Sequence, residues 1–176
     1  NDKKVYATDD HFIYENILYA GARTAGPASN FLMKTEDSGQ TWEKISDISP
    51  AGKKTSEVGL EYIGDGRILA VLNTMDRKHT YQTYGHNMGK KWEPLKVMEA
   101  QVAIWDRARI WSRAHLKGQD KWWNDPVILG VGDEAVNLGE STPRRNSLWI
   151  SPDRGKTWNG PIKLDEKAQD GGYGDM

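Results

Sequence analysis

Along the chain, apolar positions come in short runs cut by glycine, aspartate and asparagine, and no stretch keeps a helical period through three turns. The runs with strand character are His11 to Arg23 (HFIYENILYAGAR), Ser29 to Thr35 (SNFLMKT), Glu57 to Ile63 (EVGLEYI), Arg67 to Thr74 (RILAVLNT), Thr80 to His86 (TYQTYGH), Ala108 to Ala114 (ARIWSRA), Asp125 to Gly132 (DPVILGVG) and Asn146 to Ser151 (NSLWIS). Turn signals fall between them at Gly64-Asp65-Gly66, Ser38-Gly39, Arg154-Gly155 and Gly171-Gly172. The pattern predicts an all-β chain.

A longer period lies over the short one. TEDSGQTW (Thr35 to Trp42) and SPDRGKTW (Ser151 to Trp158) share the form Ser/Thr-x-Asp-x-Gly-x-Thr-Trp, and GHNMGKKW (Gly85 to Trp92) is a decayed copy with Asn87, Gly89 and Trp92 in the Asp, Gly and Trp places. Trp42 to Trp92 is 50 positions and Trp92 to Trp158 is 66, so each unit holds about four short strands with their loops, the size of one propeller blade. Residues 1–176 are therefore expected to form a single partial β-propeller domain of four-stranded antiparallel blades. Its blades span about 5–50, 55–99 and 101–165, and a further blade starts at 170–176, which makes roughly three and a half.

The repeated box has the logic of a hairpin turn. Asp37 and Asp153 accept hydrogen bonds from turn amides, Gly39 and Gly155 take a conformation closed to residues with a Cβ, and Trp42 and Trp158 pack the corner onto a neighbouring strand. The role expected of these residues, and of Asn87, Gly89 and Trp92, is structural.

Charge and composition narrow the partners. With 24 Lys and Arg against 25 Asp and Glu the formal net charge is −1, which offers no general attraction to nucleic acid or an anionic membrane. No window approaches the roughly 18 apolar residues of a membrane span. The absence of cysteine excludes disulfides and thiol nucleophiles, and His11, His79, His86 and His115 lack metal-ligand spacing, so neither a metal nor a cofactor is expected. A first residue of Asn rather than Met fits a processed or truncated product. Eight Trp and seven Tyr against two Phe supply amphipathic aromatics, which serve packing between sheets and stacking on sugar rings alike; Trp122 and Trp123, in the polar stretch KGQDKWWNDP, are candidates for the second use.

The two intact boxes resemble the Asp box, or BNR repeat, of the sialidase superfamily. That resemblance implies box turns on the outer hairpins of blades, far from the substrate funnel, in a ring of six blades. The remaining blades are expected from a longer chain or a second subunit, because an open half ring leaves bare faces and strand edges. Extracellular or periplasmic placement and a carbohydrate partner, a terminal acidic sugar, are implied in the same way.

Further segments carry the resemblance. GGYGDM, shortly after the last box, is similar to the segment holding the family's catalytic tyrosine, with Tyr173 in that place. SEVGLEYIGDGRILAVLNT looks like the segment whose first glutamate, here Glu57, takes the tyrosine's proton. TPRRNSLWISPDRGKTW resembles the stretch leading into the last box, where Arg145 matches one of three arginines that grip the substrate carboxylate. The second such arginine aligns with Met75, which cannot bind a carboxylate; Arg77, Arg107 and Arg109 are the candidates to replace it. The family's first arginine and acid/base aspartate have no clear counterpart, with Asp9 and Asp10 the nearest candidates.

The chemistry asks for these residue types. A phenol with a pKa of about 10 needs a carboxylate base to attack at neutral pH. A neutral nucleophile suits an anomeric carbon that bears a carboxylate, since an Asp or Glu attacker meets charge repulsion. The guanidinium fork binds a carboxylate bidentately. The resulting expectation is a sialidase-like, retaining exo-glycoside hydrolase with Tyr173 as nucleophile and Glu57 as its base; the alternative is a non-catalytic Asp-box propeller that binds glycans or proteins.

Overall fold

The computed structural model describes residues 5–24, 29–50, 53–75, 79–98, 109–112, 128–135 and 144–164; of these, 6–9, 109–112, 128–135 and 144–146 are described by their backbone. They form thirteen strands in three antiparallel meanders. Sheet A contains β1 (Val5–Tyr14), β2 (Ile17–Thr24), β3 (Asn30–Thr35) and β4 (Glu43–Asp47). Sheet B contains β5 (Thr55–Gly64), β6 (Arg67–Thr74), β7 (Thr80–His86) and β8 (Lys91–Trp92), with β9 (Lys96–Val97) also paired to β7. Sheet C contains β10 (Arg109–Ser112), β11 (Ile128–Ala135), β12 (Arg144–Ser151) and β13 (Asn159–Lys163). Strand order within each sheet follows the chain.

The apolar run of β6 shows how the sheets stack. Alternate side chains of a strand point to opposite faces. Ile68, Ala70 and Leu72 join Phe12, Tyr19, Leu32 and Ile48 of sheet A in one buried cluster. Leu69 and Val71 join Ile63 of β5 and Trp149 of sheet C in another. Sheet B is thus covered on both faces, which is why RILAVLN reads as unbroken hydrophobicity rather than alternation. The first strands are neighbours: β5 packs against both β1 and β10.

The expected single run His11 to Arg23 is two strands. Glu15 and Asn16 have φ of 50° and 62°, and Tyr14 pairs with Ile17, giving a two-residue hairpin of the kind whose twist matches its strands. Asn-Gly and Asp-Gly advertise such a turn, whereas Glu-Asn does not.

The two intact boxes share one hydrogen-bond pattern. The Thr35 hydroxyl donates to Asp37 Oδ1 (2.8 Å) and accepts from the Gly39 amide (2.9 Å), while Asp37 accepts from the Thr41 amide (2.8 Å) and hydroxyl (2.6 Å). Ser151, Asp153, Gly155 and Thr157 repeat it at 2.9, 2.6, 2.8 and 2.7 Å. The decayed copy departs from the expectation. Gly85 and Lys91 replace the two hydroxyl residues, and among the described residues no hydrogen bond reaches the Asn87 side chain; the turn closes from the Lys90 amide to the Asn87 carbonyl (3.4 Å). The Trp92 ring instead fills the space over Gly85, 3.0 Å from where a Cβ would stand.

Box tryptophans fasten one sheet to the one before. Trp158 Nε1 donates to Gln82 Oε1 on β7 (2.8 Å), and Trp92 Nε1 donates to Ser46 Oγ on β4 (2.9 Å). Trp42 differs from the expected packing: it is 42% exposed, and its Nε1 turns back to the Gly39 carbonyl (3.1 Å).

Candidate active site

Strand register separates two ends of each sheet. β5 begins opposite the end of β6 (Thr55 with Thr74), and β7 begins beside that point (Asn73 with Thr80), so Glu57 lies at the end away from the Asn87–Lys90 turn. In sheet C the backbone of Arg109 pairs with Val131 and that of Arg145 with Glu134, both displaced along β11 away from the Ser151 box. The box ends are tied to one another: Arg154 Nη1 donates to Asp65 Oδ2 (3.0 Å), the Tyr84 hydroxyl to the Arg154 carbonyl (3.1 Å) and Gln82 Nε2 to the Gly155 carbonyl (2.6 Å). Glu57, Arg109 and Arg145 therefore stand on strands that open toward the opposite end.

Glu57 sits in a bulge. Between the pairs Thr55 with Thr74 and Val58 with Leu72, β5 advances one residue more than β6. A bulge interrupts the ladder and re-aims a side chain. The Glu57 amide finds its acceptor in Asn73 Oδ1 (2.8 Å), a buried side chain. Asn73 thereby holds the backbone of Glu57 in its irregular path.

The ground beneath the bulge is a buried polar network that joins sheets A and B. Asn30 Nδ2 donates to the Ser56 carbonyl (2.7 Å), the Asn30 amide to Ser49 Oγ (3.0 Å), and the Thr55 hydroxyl contacts both Asn30 Oδ1 and Ser49 Oγ. Satisfied networks of this kind fix one geometry, since an unpaired buried partner is costly. Arg23 adds a cation to this end: its Nη1 donates to Ser56 Oγ (3.0 Å), one residue before Glu57. Sequence reasoning missed Arg23 and Asn73. The Asn73 signal lay in the quoted segment, while Arg23 is separated from Ser56 by 33 positions and had none.

The other nominated residues are placed less centrally or lie elsewhere. Asp10, on a bulged part of β1, is buried and accepts from the Leu60 amide of β5 (2.8 Å) and the His11 amide (3.2 Å), so its carboxylate ties the two first strands together. Met75 is 50% exposed at the end of β6, in the place where an arginine is expected. Tyr173, Arg77, Arg107, Trp122, Trp123 and the start of a blade at 170–176 lie outside the described residues. Among the described residues no group of three or more His, Cys, Asp or Glu is arranged to hold a metal, and no helix is long and apolar enough to cross a membrane.

Electrostatics at the box end serve shape. The Thr41 hydroxyl and amide, then the Thr35 hydroxyl, hold the Asp37 carboxyl down at about 2. Burial acts to raise Asp153, but the hydrogen bonds from Thr157 and Ser151 together outweigh it and the net direction is down. Both are committed anions pointing into their own turns, a poor arrangement for proton transfer.

No family model matches the chain, and no curated protein matches it. Among solved structures it is similar to a Hadza microbial sialidase, Hz136, with a TM-score of 0.69 at 12% identity over 93% of this chain and 31% of that one. It is also similar to a mutant of the NanB sialidase from Streptococcus pneumoniae, with a TM-score of 0.60 at 15% identity over 83% of this chain and 21% of that one. The chain spans less than a third of the length of either. At these identities the likeness is one of fold: the stacked sheets are part of a sialidase-like β-propeller.

Proposed function

We propose that the chain belongs to an exo-acting, retaining glycoside hydrolase for a terminal acidic sugar, sialic acid or a related one. The observation that carries this reading is the bulge on β5, where Asn73 holds Glu57 out of the regular ladder at the end away from the box turns, with the Arg23 guanidinium on the adjacent Ser56.

In this reading the Tyr173 hydroxyl attacks the anomeric carbon as its proton passes to Glu57, and the bond to the leaving group breaks, its oxygen taking a proton from solvent. Water then attacks the anomeric carbon and gives its proton to solvent, while Glu57 returns the first proton to the departing Tyr173 oxygen. Arg145, together with Arg109, Arg77 or Arg107, grips the sugar carboxylate, and Arg23 adds positive charge to the same end. The neutral phenol is the nucleophile because a carboxylate would be repelled by the substrate's own. An enzyme of this kind meets its glycans outside the cytoplasm, so export accompanies the proposal.

The test is Tyr173→Phe in the full-length protein, assayed for phenol release from aryl glycosides of sialic and uronic acids. Loss of turnover by about a hundredfold or more is expected for a general-base-assisted nucleophile; unchanged turnover removes Tyr173 from the reaction. Met75, half-exposed where an arginine is expected, favours a second reading, a non-catalytic propeller that binds glycans. That reading predicts saturable glycan binding, no product, and indifference to Tyr173→Phe.

A further inference from the structure

Two grooves lie where a box turn meets the outer strands of the preceding sheet. The first, between sheets A and B, has a volume of about 420 Å³ and is lined in part by Lys34, Glu43 and Lys90. Its charge is internally balanced, since Lys34 pairs with Glu36 (2.6 Å) and with Glu43 (3.3 Å). The second, between sheets B and C, has a volume of about 630 Å³ and is lined by Gln82, Lys96, Val97, Met98, Lys156, Thr157 and Trp158. Among the described residues it has two lysines and no carboxylate on its wall, and neither lysine has an ion pair.

The polar groups of this second groove are arranged to hold its aromatic wall still. Gln82 is engaged at both ends of its amide, with Nε2 donating to Tyr84 Oη (3.0 Å) and the Gly155 carbonyl (2.6 Å) and Oε1 accepting from Trp158 (2.8 Å). The Thr157 hydroxyl is engaged by Asp153 (2.7 Å). What remains for a ligand is a fixed indole, apolar surface that includes Val97 at 51% exposure, and two exposed ammonium groups. A flat apolar wall beside unpaired cations complements a ring with a hydrocarbon face and an anionic substituent.

We infer that this rim groove is a second carbohydrate site, which binds an internal residue of an acidic sugar chain carrying carboxylate or sulfate through Trp158, Lys96 and Lys156. A peptide partner is disfavoured because the nearby edge strand β9 is two residues long, too short to template an added strand. The groove lies on the outer strands of sheet B, and β6 and β7 separate its β9 residues Lys96 and Val97 from the Glu57 strand β5, so an occupant there leaves the proposed reaction centre open. The choice of a sugar rests in part on the proposed hydrolase reading, but the binding itself does not require turnover.

The test is calorimetric titration of the full-length Glu57→Gln protein with four probes: a heparin-derived hexasaccharide, hexagalacturonate, maltohexaose and hexa-aspartate. At least one acidic hexasaccharide is expected to bind, and which of the two binds tells sulfate from carboxylate. That binding is expected to fall at least tenfold when Lys96→Gln and Lys156→Gln are combined, and to weaken on raising salt from about 0.05 to 0.5 M. Both lysines are exposed, so an unchanged melting temperature separates loss of the site from loss of the fold. Binding of no acidic sugar, equal binding by the double lysine variant, or hexa-aspartate binding as tightly as the sugars would each overturn the inference. Because the Glu57→Gln background has no proposed base, a failure of the hydrolase reading shows in the aryl-glycoside assay and not in these titrations.

Discussion

The first and third box turns contain the same hydrogen bonds and sit in different surroundings. Around Thr35 to Trp42 the turn is self-contained: among the described residues a Cβ at Gly39 meets only Trp42, at 3.9 Å, and Trp42 donates to its own turn. Around Ser151 to Trp158 the turn leans on sheet B. A Cβ at Gly155 falls 2.8 Å from Leu69 Cδ2, the Arg154 carbonyl accepts from Tyr84, and Trp158 reaches Gln82. The motif therefore encodes a closed turn wherever it stands, and the neighbouring sheet determines whether that turn also acts as a fastener between sheets.

The contrast makes graded predictions. The largest effect is expected at Leu69, whose truncation to Ala removes a fully buried side chain and costs about 2–5 kcal/mol in chemical denaturation. Next, Gly155→Ala and Gly39→Ala share the penalty of a left-handed backbone, with φ of 83° and 89°, but only the first drives a methyl into the core. Gly155→Ala is expected to cost about 1–3 kcal/mol more than its counterpart from overpacking. Combined with Leu69→Ala its cost should shrink, because the cavity admits the methyl. Trp158→Phe leaves Gln82 Oε1 without its donor and should cost about 1 kcal/mol, whereas Trp42→Phe at the exposed turn should stay within about 0.5 kcal/mol.

The smallest expected effect is on pH dependence. The folded Asp37 carboxyl titrates at about 2 against an ordinary 3.8, so on acidification the unfolded chain takes up the proton first. Its contribution is complete above about pH 4 and is lost as pH falls through the folded value near 2. Asp153 shifts the same way. Thermal melts between pH 5 and 2 should show a shallower acid decline in Asp37→Asn than in the wild type; equal slopes would mean that the turn hydrogen bonds do not favour the charged form.

Much of this layout was legible in the sequence for physical reasons. β6 could be read because it is covered on both faces and so carries a continuous apolar run, and the box turns because Asp, Gly and two hydroxyl residues must recur at fixed spacing to make their hydrogen bonds. The strands that follow the boxes were not legible: β13 is exposed along its whole length, and β4 is mostly polar, so neither carries a burial pattern. The hairpin at Glu15-Asn16 lacked a glycine. At the candidate site, Glu57 could be nominated by likeness, but its bulge depends on a partner strand, and the approach of Arg23 to Ser56 exists only once sheet A lies against sheet B.

The division of labour between the two ends of the sheets can be measured directly by comparing initial rates of aryl-glycoside hydrolysis in full-length Glu57→Gln and Asp153→Asn proteins, well below their melting temperatures. Glu57→Gln should lower the rate by about two to four orders of magnitude, as expected for a lost general base, while Asp153→Asn should leave it within a few-fold of wild type. A Glu57→Gln protein as fast as the wild type, or a rate that collapses only with Asp153→Asn, would contradict the assignment of chemistry to the end away from the box turns.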